Sequence, residues 1–346
     1  MADADLKRLG QIKGTGGSWA AGAAAQDGYR ALFLKLGSAE ILSAFEESCI
    51  FKGKVKERNI RGGKSLAFPI SGKQSASYHQ PGTEITGGGN DPSDLNERVL
   101  TLDSLMIADA AVADIDLLMA YWDQRQEITR ELGLALAYEW DRRAARIIFA
   151  AANNSTEPLA KAINTGRIGS TVTLGADYTG ASATRQEKGD ALVAAIGDAK
   201  VAMQKKDVPT SDISCVLGPD DYDLVLDSTR AINTDYNGGG GGNGGFADGR
   251  VLRVKGVPLY MSNHVTQDAY TLVAGDCNAE YAQDLSNNKA LVFHKDCMGV
   301  LSLLSPSLQV TSGDWNISRQ STLLVARQSL GMGVLRAECA VAIGTA

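Results

Sequence analysis

The sequence is poor in the side chains that carry most metal and acid-base chemistry, since it has only three histidines, His79, His264 and His294. Its five cysteines are scattered and form no CxxC pair. His294 lies three residues before Cys297, with Cys277 upstream, but this grouping on a predicted strand does not make a tetrahedral zinc site. We therefore expect no metal centre and no other cofactor.

A targeting segment and a long apolar run are also missing. The first residues have no basic region followed by an apolar stretch of about 7 to 15 residues. Nothing later approaches about 18 apolar residues in succession. We expect a soluble protein that folds in a cytoplasm, where its odd number of thiols stays reduced. The cysteines are Cys49, Cys215, Cys277, Cys297 and Cys339.

The chain has no excess of basic residues, because 34 Lys and Arg stand against 40 Asp and Glu, a formal net charge of −6. Proteins whose main task is to neutralise phosphates usually carry a basic surface. Sequence-specific binding of DNA or RNA is therefore not expected.

Motifs of the common enzyme classes are absent or incomplete. The Gly-Lys-Ser sequence at 63–65 resembles the end of a phosphate-binding loop, but Arg58 stands where that motif requires glycine and Pro69 blocks the following helix. HExxH, GxSxG and EF-hand patterns do not occur. The acids Asp220 and Asp221 follow a Gly-Pro pair, where capping of a helix start accounts for them. The sequence thus predicts a protein that is not an enzyme.

The most informative feature that is present is one predicted helix of about forty residues, Asp114 to Ala152. No proline interrupts it and only Gly133 weakens it. At ~1.5 Å per residue it would extend on the order of 55 Å, which favours a scaffold element over the core of a compact enzyme. Acids in the first turn, and Arg142, Arg143 and Arg146 near the end, complement the helix dipole. The predicted apolar stripe is Ile115, Leu118, Trp122, Leu132, Leu136, Trp140, Ile147 and Ala151.

The other side of this helix is charged. Glu139 stands three and four residues before Arg142 and Arg143, and Glu127 three residues before Arg130. These are the spacings of ion pairs on a helix surface. We interpret this side as a solvated or protein-contacting surface rather than a ligand site.

Ahead of the helix, the pattern from Phe51 to about Asp103 alternates with period two between Gly, Pro and Asn clusters, and it predicts a long, twisted hairpin. The first part is basic and the later part acidic. Pairing of the two parts within the hairpin, and docking onto a neighbouring subunit of opposite charge, both explain this segregation. The candidate contact residues are Lys52, Lys54, Lys56, Arg58, Arg61, Glu84, Asp91, Asp94 and Glu97.

The remaining segments complete a mixed architecture. Residues 1–26, rich in Gly, Ala and Ser, predict an arm, and residues 27–45 predict a short amphipathic helix. From about Gly189 helical and strand patterns mix, which predicts an α+β body. Inside it the glycine run at 237–249 predicts a mobile surface loop. The last segment predicts consecutive strands.

This order of parts is typical of a shell-forming subunit, and the sequence itself resembles a known family. The major capsid proteins of T-seven-type short-tailed bacteriophages (podoviruses) contain runs that resemble ALFLKLGSAEILSAFEES, RGGKSLAFPISGKQSASYHQPG and LTLDSLMIADAAVADIDLLMAYWDQRQEITRELGLALA. VPTSDISCVLGPDDYDLVL and VKGVPLYMSNHV continue the resemblance. It covers most of the chain from about Ala31, in matching order.

The resemblance implies an α+β fold of the Hong Kong 97 capsid type. The implied parts are an N-arm (1–50), an extended loop (51–109), a peripheral domain (110–189 and 291–346) with a spine helix (114–152), and an axial domain (190–290). It also implies assembly of hexamers and pentamers into an icosahedral head shell in the bacterial cytoplasm. The implied partners are further copies of the chain, a scaffolding protein, a portal protein at one vertex, a decoration or cement protein, and packaged double-stranded DNA enclosed without sequence-specific binding; a membrane is not implied.

Two other functions remain open at this point. A nanocompartment shell of the encapsulin type has the same fold and would assemble around an enzyme cargo without a scaffold. A soluble α+β enzyme would be a monomer or small oligomer that binds a cofactor. Since a fold alone does not decide function, the local similarity to phage sequences is what favours the viral shell.

Overall fold

The structure is a computed structural model, and it describes residues 49–73, 76, 78–84, 95–115, 124–159, 166–228, 253–311 and 314–345. The predicted arm up to residue 48, its amphipathic helix and the glycine run at 237–249 lie outside these residues. Helices and strands are mixed in the described chain, so the predicted α+β class is confirmed. In this part of the chain, no helix combines the length and apolar character that a membrane span requires.

The described elements are twelve strands, five α-helices and two short 3-10 helices, Ala279–Tyr281 and Ala337–Cys339. The strands are β1 Lys56–Asn59, β2 Ser65–Ser71, β3 Leu95–Thr101, β4 Met106–Ala113, β5 Ser170–Thr173, β6 Ile213–Leu217, β7 Arg253–Val254, β8 Val257–Met261, β9 Asn288–His294, β10 Met298–Val310, β11 Ser321–Val334 and β12 Ala340–Gly344. The helices are α1 Gln124–Asn153, α2 Ala176–Thr179, α3 Arg185–Lys205, α4 Pro219–Leu226 and α5 Asp314–Arg319. The strand orders are β1-β10-β11-β4, β5-β12-β9-β6-β8-β7 and β2-β3.

The predicted long helix is confirmed over the part that the structure describes. Helix α1 has 30 residues and ends at Asn153, one residue beyond the predicted end. Asp114 and Ile115 are helical, and residues 116–123 lie outside the described chain. The predicted apolar stripe is buried at Leu132, Leu136, Trp140, Ile147 and Ala151. Ile115, in contrast, is 55% exposed.

The chain forms two compact units, and the first consists of the described parts of Leu105–Tyr138 and Leu304–Ser329. Within it, β4 pairs antiparallel with the first part of β11, ending at the pair Met106 and Gln328. Alternate β11 side chains face α1, because successive residues of a strand point to opposite faces. The apolar cluster of this unit contains Leu132, Leu136, Leu324 and Ala326.

The second unit consists of the described parts of Cys49–Ser104, Glu139–Leu303 and Leu330–Ala346, and it holds the main core. All five residues of β6 are buried, as expected for a continuous apolar run in the middle of a sheet. Helix α3 covers this sheet and begins at a capping box, in which Thr184 and Glu187 bond each other's backbone N–H groups. The six-stranded sheet contains β5 and β12 from segments predicted as peripheral, and β6, β7 and β8 from the segment predicted as axial. The division into these two domains remains a prediction.

The predicted hairpin is present but shorter than predicted. Strands β2 and β3 pair antiparallel from Ser65 and Thr101 to Ser71 and Leu95. The flanking period-two segments pair elsewhere, since β1 runs parallel to β10 and β4 pairs with β11. Asp103, two positions after β3, is 7% exposed and accepts the backbone N–H of Cys277 in the body of the second unit.

Candidate assembly surface

One face of the β2–β3 hairpin leaves apolar side chains uncovered. On β3, Leu95 is 68% and Val99 54% exposed, and the exposed Glu97 lies between them. These three residues alternate along the strand and so share one face. On β2 the exposed Pro69 is the cross-strand neighbour of Glu97. We call this face, defined by Leu95, Glu97, Val99 and Pro69, the hairpin surface.

The opposite face of the hairpin packs on the body of the second unit. Phe68 and Leu100 form an apolar cluster with Leu335. Two glycines of β11 permit this close approach. A Cβ at Gly331 would lie 2.1 Å from the Thr101 carbonyl oxygen, and one at Gly333 would lie 2.4 Å from Leu100 Cδ2. Larger residues at these positions would push the hairpin away from the sheet.

The basic candidates from the sequence lie near the start of the second unit, and three of them contact this unit's own side chains. Lys54 Nζ lies 3.0 Å from the ring centroid of Tyr260. Burial lowers the pKa of the Lys54 amine to about 8. Lys56 Nζ pairs with Asp296 Oδ1 at 2.9 Å. Arg58 stacks over an aromatic ring of β2, with 4.7 Å from its guanidinium carbon to the centroid.

The other candidates are solvent-facing or lie outside the described chain. Lys52, Arg61, Glu84 and Glu97 are exposed. Asp91 and Asp94 fall outside the described residues. The structure therefore gives Lys54 and Lys56 partners other than the acidic candidates. Contact of the candidates with a neighbouring subunit remains a prediction.

A buried charge cluster on α1 was missed by the sequence analysis. Arg146 is 1% exposed, so of the two predicted possibilities for the charged side of the helix, solvated or protein-contacting, this position has the second. Its Nη2 lies 2.8 Å from Asp268 Oδ1, and Arg142 bonds the other oxygen of the same carboxylate. The Arg146 guanidinium also stacks on the Tyr270 ring, at 4.5 Å from its centroid. The predicted contacts of Glu139 with Arg142 are confirmed at 3.4 Å.

A second group joins the end of the hairpin to the loop before β9. Asp103 accepts hydrogen bonds from the Tyr281 hydroxyl at 2.6 Å and from the Cys277 N–H at 3.0 Å. Arg143 Nη2 lies 3.0 Å from Asp276 Oδ1 and its Nη1 4.0 Å from Asp103. Burial raises the pKa of the Asp103 carboxyl, against the lowering effect of these hydrogen bonds and of Arg143. The base of the hairpin is thus fixed to α1.

A third buried group holds the segment before β1 at Ile50 against α1. Asp141 of α1 is fully buried and accepts the Ile50 N–H at 3.1 Å, and it lies 2.9 Å from His264 Nδ1. A signal for these clusters exists in the sequence, because Asp141 and Arg146 stand directly beside the apolar stripe positions Trp140 and Ile147. Charges at the margin of a buried stripe require partners.

The remaining predicted positions have structural roles. Gly218, not an aspartate, is the N-cap of α4. Asp221 is instead buried and accepts hydrogen bonds from the Tyr178 hydroxyl at 2.7 Å and Gln267 at 3.2 Å. Its predicted capping role is therefore wrong. Among the described residues, no group of three or more His, Cys, Asp and Glu side chains is placed to hold a metal ion.

Comparison with known proteins gives a consistent result. Residues 67–344 match the model of the family described as "Gp10A-like: Major capsid protein". The major capsid protein of Escherichia phage T7 is 26% identical over 331 residues, covering 90% of this chain and 91% of that protein. That of Enterobacteria phage T3 is 27% identical over 338 residues, with the same coverage.

Two solved phage capsids resemble this chain over nearly its whole length. The capsid of Cyanophage P-SCSP1u matches with a TM-score of 0.76 and 31% identity, covering 100% of this chain and 99% of that one. The mature capsid of bacteriophage PhiM1 matches with a TM-score of 0.71 at 19% identity, which supports the fold alone. The Hong Kong 97-type fold is thereby confirmed. The protein forms a phage head shell, and neither the nanocompartment nor the enzyme is favoured. This chain belongs to the Gp10A-like family of major capsid proteins.

Proposed function

We propose that the hairpin surface is the contact through which one copy of this chain covers its neighbour in the head shell. The observation that carries the proposal is the exposure of Leu95 and Val99 on a two-stranded sheet. A two-stranded hairpin is only marginally stable in water by itself, so a face with two exposed apolar side chains gains most from a partner surface. The repeated copies of a closed shell supply such a partner at every position.

The charged candidates extend this contact. Lys52 and Arg61 are exposed beside the partnered Lys54 and Lys56, and Glu84 and Glu97 are exposed on the hairpin segment. Opposite charges on two copies would orient the contact more than they strengthen it, since exposed ion pairs contribute about 0 to 1 kcal/mol each. Weak contacts that recur around a closed shell sum to stable assembly.

The resemblance to related capsids supports further proposals about assembly and partners. The chain forms hexamers and pentamers with the help of a scaffolding protein in the bacterial cytoplasm, meets a portal protein at one vertex, and encloses double-stranded DNA. A decoration or cement protein is a further partner. The net charge of −6 fits a shell that encloses DNA without binding it tightly, because a basic inner wall would bind the phosphates. The chain has a structural and not an enzymatic role. Its N-arm, extended loop, peripheral domain and axial domain have the boundaries given by the sequence.

The test replaces the apolar residues of the hairpin surface. Leu95→Asn with Val99→Asn is expected to leave a folded chain that forms no shells, when assembly is followed by light scattering and negative-stain electron microscopy. Val201→Asn is the matched control, because Val201 is 45% exposed but lies on α3. Reversing the charges of the exposed Lys52 and Arg61 to Glu should reduce shell formation, because like charges on two copies would then repel at this contact. Normal shells from the doubly substituted chain would refute the role of the hairpin surface.

A further inference from the structure

The edge of β11 changes its neighbour halfway along the strand. Its first part pairs with β4, and that pairing ends at Gln328 because β4 begins at Met106. Beyond this point alternate residues of β11 continue to direct their backbone groups to the same edge. The carbonyl oxygen of Leu330 accepts a hydrogen bond from the backbone N–H of Asp103 at 3.0 Å. The next groups on this edge belong to Met332 and Val334.

Three side chains, not a strand, occupy this part of the edge. The Met332 N–H donates to the Tyr281 hydroxyl oxygen at 3.1 Å, and the Met332 carbonyl accepts from Asn278 Nδ2 at 2.8 Å. The Val334 N–H donates to Glu280 Oε2 at 3.1 Å. Asn278, Glu280 and Tyr281 flank and form a short 3-10 helix, Ala279–Tyr281. We call these three side chains the edge cap.

The edge cap is held by bonds of its own. Asn278 Oδ1 accepts the Glu280 N–H at 3.0 Å, so this side chain caps the 3-10 helix while its amide serves β11. The Tyr281 hydroxyl donates to Asp103 Oδ2 at 2.6 Å and accepts from Met332, so both of its hydrogen-bonding functions are used. Tyr281 has no exposed surface. The three side chains therefore form a prearranged substitute for a neighbouring strand.

The edge cap lies beside an open cavity. This cavity has a volume of about 110 Å³ and is lined by Arg98–Thr101 of β3 and by Cys277, Asn278, Glu280, Met332 and Val334. The backbone groups of Met332 and Val334 already bond the three side chains of the edge cap. A strand can therefore pair with this end of β11 only by displacing the edge cap.

We propose that the edge cap blocks strand addition between copies of this chain. An open edge in a protein present in many copies is a template for pairing with a second copy, most directly through the same β11 edge in antiparallel orientation. The edge cap satisfies Met332 and Val334 within the chain and so removes this template. It acts on the unassembled chain, and it does not depend on the proposed role of the hairpin surface.

The test removes most of the edge cap in the full chain. Asn278→Ala combined with Glu280→Ala removes two of the three side chains, and Glu280→Gln is the matched control because its amide oxygen still accepts the Val334 N–H. The probe is a fluorescein-labelled peptide with the sequence of residues 329–335, whose binding is followed by fluorescence anisotropy. The double variant is expected to bind it roughly 10-fold or more tightly than the unchanged chain, because the peptide can then bond the Met332 carbonyl and the Val334 N–H. The double variant should also scatter more light on standing.

Several results would overturn the proposal. Equal peptide binding by the double variant and the unchanged chain would do so, and so would a Glu280→Gln chain that behaves like the double variant, since charge and not the hydrogen bond would then matter. Hydrogen exchange on the unchanged chain gives a check that requires no variant. Slow exchange at Met332 and Val334 supports the edge cap, and exchange as fast as in exposed loops refutes it.

Discussion

The buried Arg146 and its partly exposed partner Asp268 give the most quantitative prediction. Asp268 accepts from Arg142, from Arg146 at 2.8 Å and from the Thr266 hydroxyl at 2.6 Å. The Arg146 side chain is 1% exposed and that of Asp268 is 38% exposed. Asp268→Ala therefore leaves a buried charge without its carboxylate, which costs about 3 to 5 kcal/mol.

Arg146→Met should cost less than the loss of Asp268. The methionine keeps most of the packed stem, and the partly exposed Asp268 retains Arg142 and water as partners, so we expect a loss of about 1 to 2 kcal/mol. The double variant Asp268→Ala/Arg146→Met should be more stable than Asp268→Ala alone, because it no longer buries an unpaired charge. The assay is urea unfolding of the unassembled chain, followed by circular dichroism. Additive losses, or a loss below about 1 kcal/mol for Asp268→Ala, would refute the reasoning.

The pH dependence of the same pair has a definite sign. Burial raises the pKa of the Asp268 carboxyl, but hydrogen bonds from Thr266 and Arg142 and the charges of Arg146 and Arg142 together lower it below its usual value. A lowered folded pKa adds stability that is complete above the unfolded value of about 3.9 and is lost as the pH falls through the folded value. Asp268→Asn should flatten the stability curve in this acid range. An unchanged acid curve would contradict the assignment.

Three further predictions concern other parts of the chain. Gly331→Ala should destabilise the chain by about 1 to 3 kcal/mol, because the added Cβ would lie 2.1 Å from the Thr101 carbonyl oxygen. An unchanged midpoint of urea unfolding would contradict this, because it would show that the backbone at Thr101 moves away without cost. Tyr260→Ala should raise the pKa of the Lys54 amine from about 8 toward its usual value, because the lost burial outweighs the lost attraction of the ring face for the charged amine. NMR titration of the lysine measures this, and a value at or below about 8 would contradict the prediction. Cys277 is exposed and should react with a thiol reagent before the buried cysteines do, and mass spectrometry measures the labelling. Labelling of a buried cysteine at the same rate would contradict the packing.

The sequence predicted the elements whose signal is local. Helix α1 follows from the spacing of Leu132, Leu136 and Trp140, and β2 and β3 follow from period-two alternation between turn residues. Pairing over long distances was not predictable in this way. β1 pairs with β10 more than 200 residues later in the chain. Because β1 is next to the hairpin strands in the sequence, it was wrongly included in the predicted hairpin.

The side-chain clusters were missed for the same physical reason. Asp268 lies 122 residues after Arg146, and the edge cap of β11 comes from a loop more than 50 residues upstream. Nothing in the neighbourhood of Arg146 distinguishes a buried guanidinium from a solvated one, apart from its position at the margin of the apolar stripe. A single sequence contains the propensities of segments but not the partners that tertiary packing selects.

Copies of this chain are proposed to close into a shell through the hairpin surface. The most direct measurement is negative-stain electron microscopy with light scattering on the purified chain, with and without a scaffolding protein, for the unchanged chain and for Leu95→Asn/Val99→Asn. We predict closed icosahedral particles from the unchanged chain when the scaffold is present, and a folded, unassembled double variant. A monomer or dimer from the unchanged chain under every condition, or normal particles from the double variant, would contradict the account.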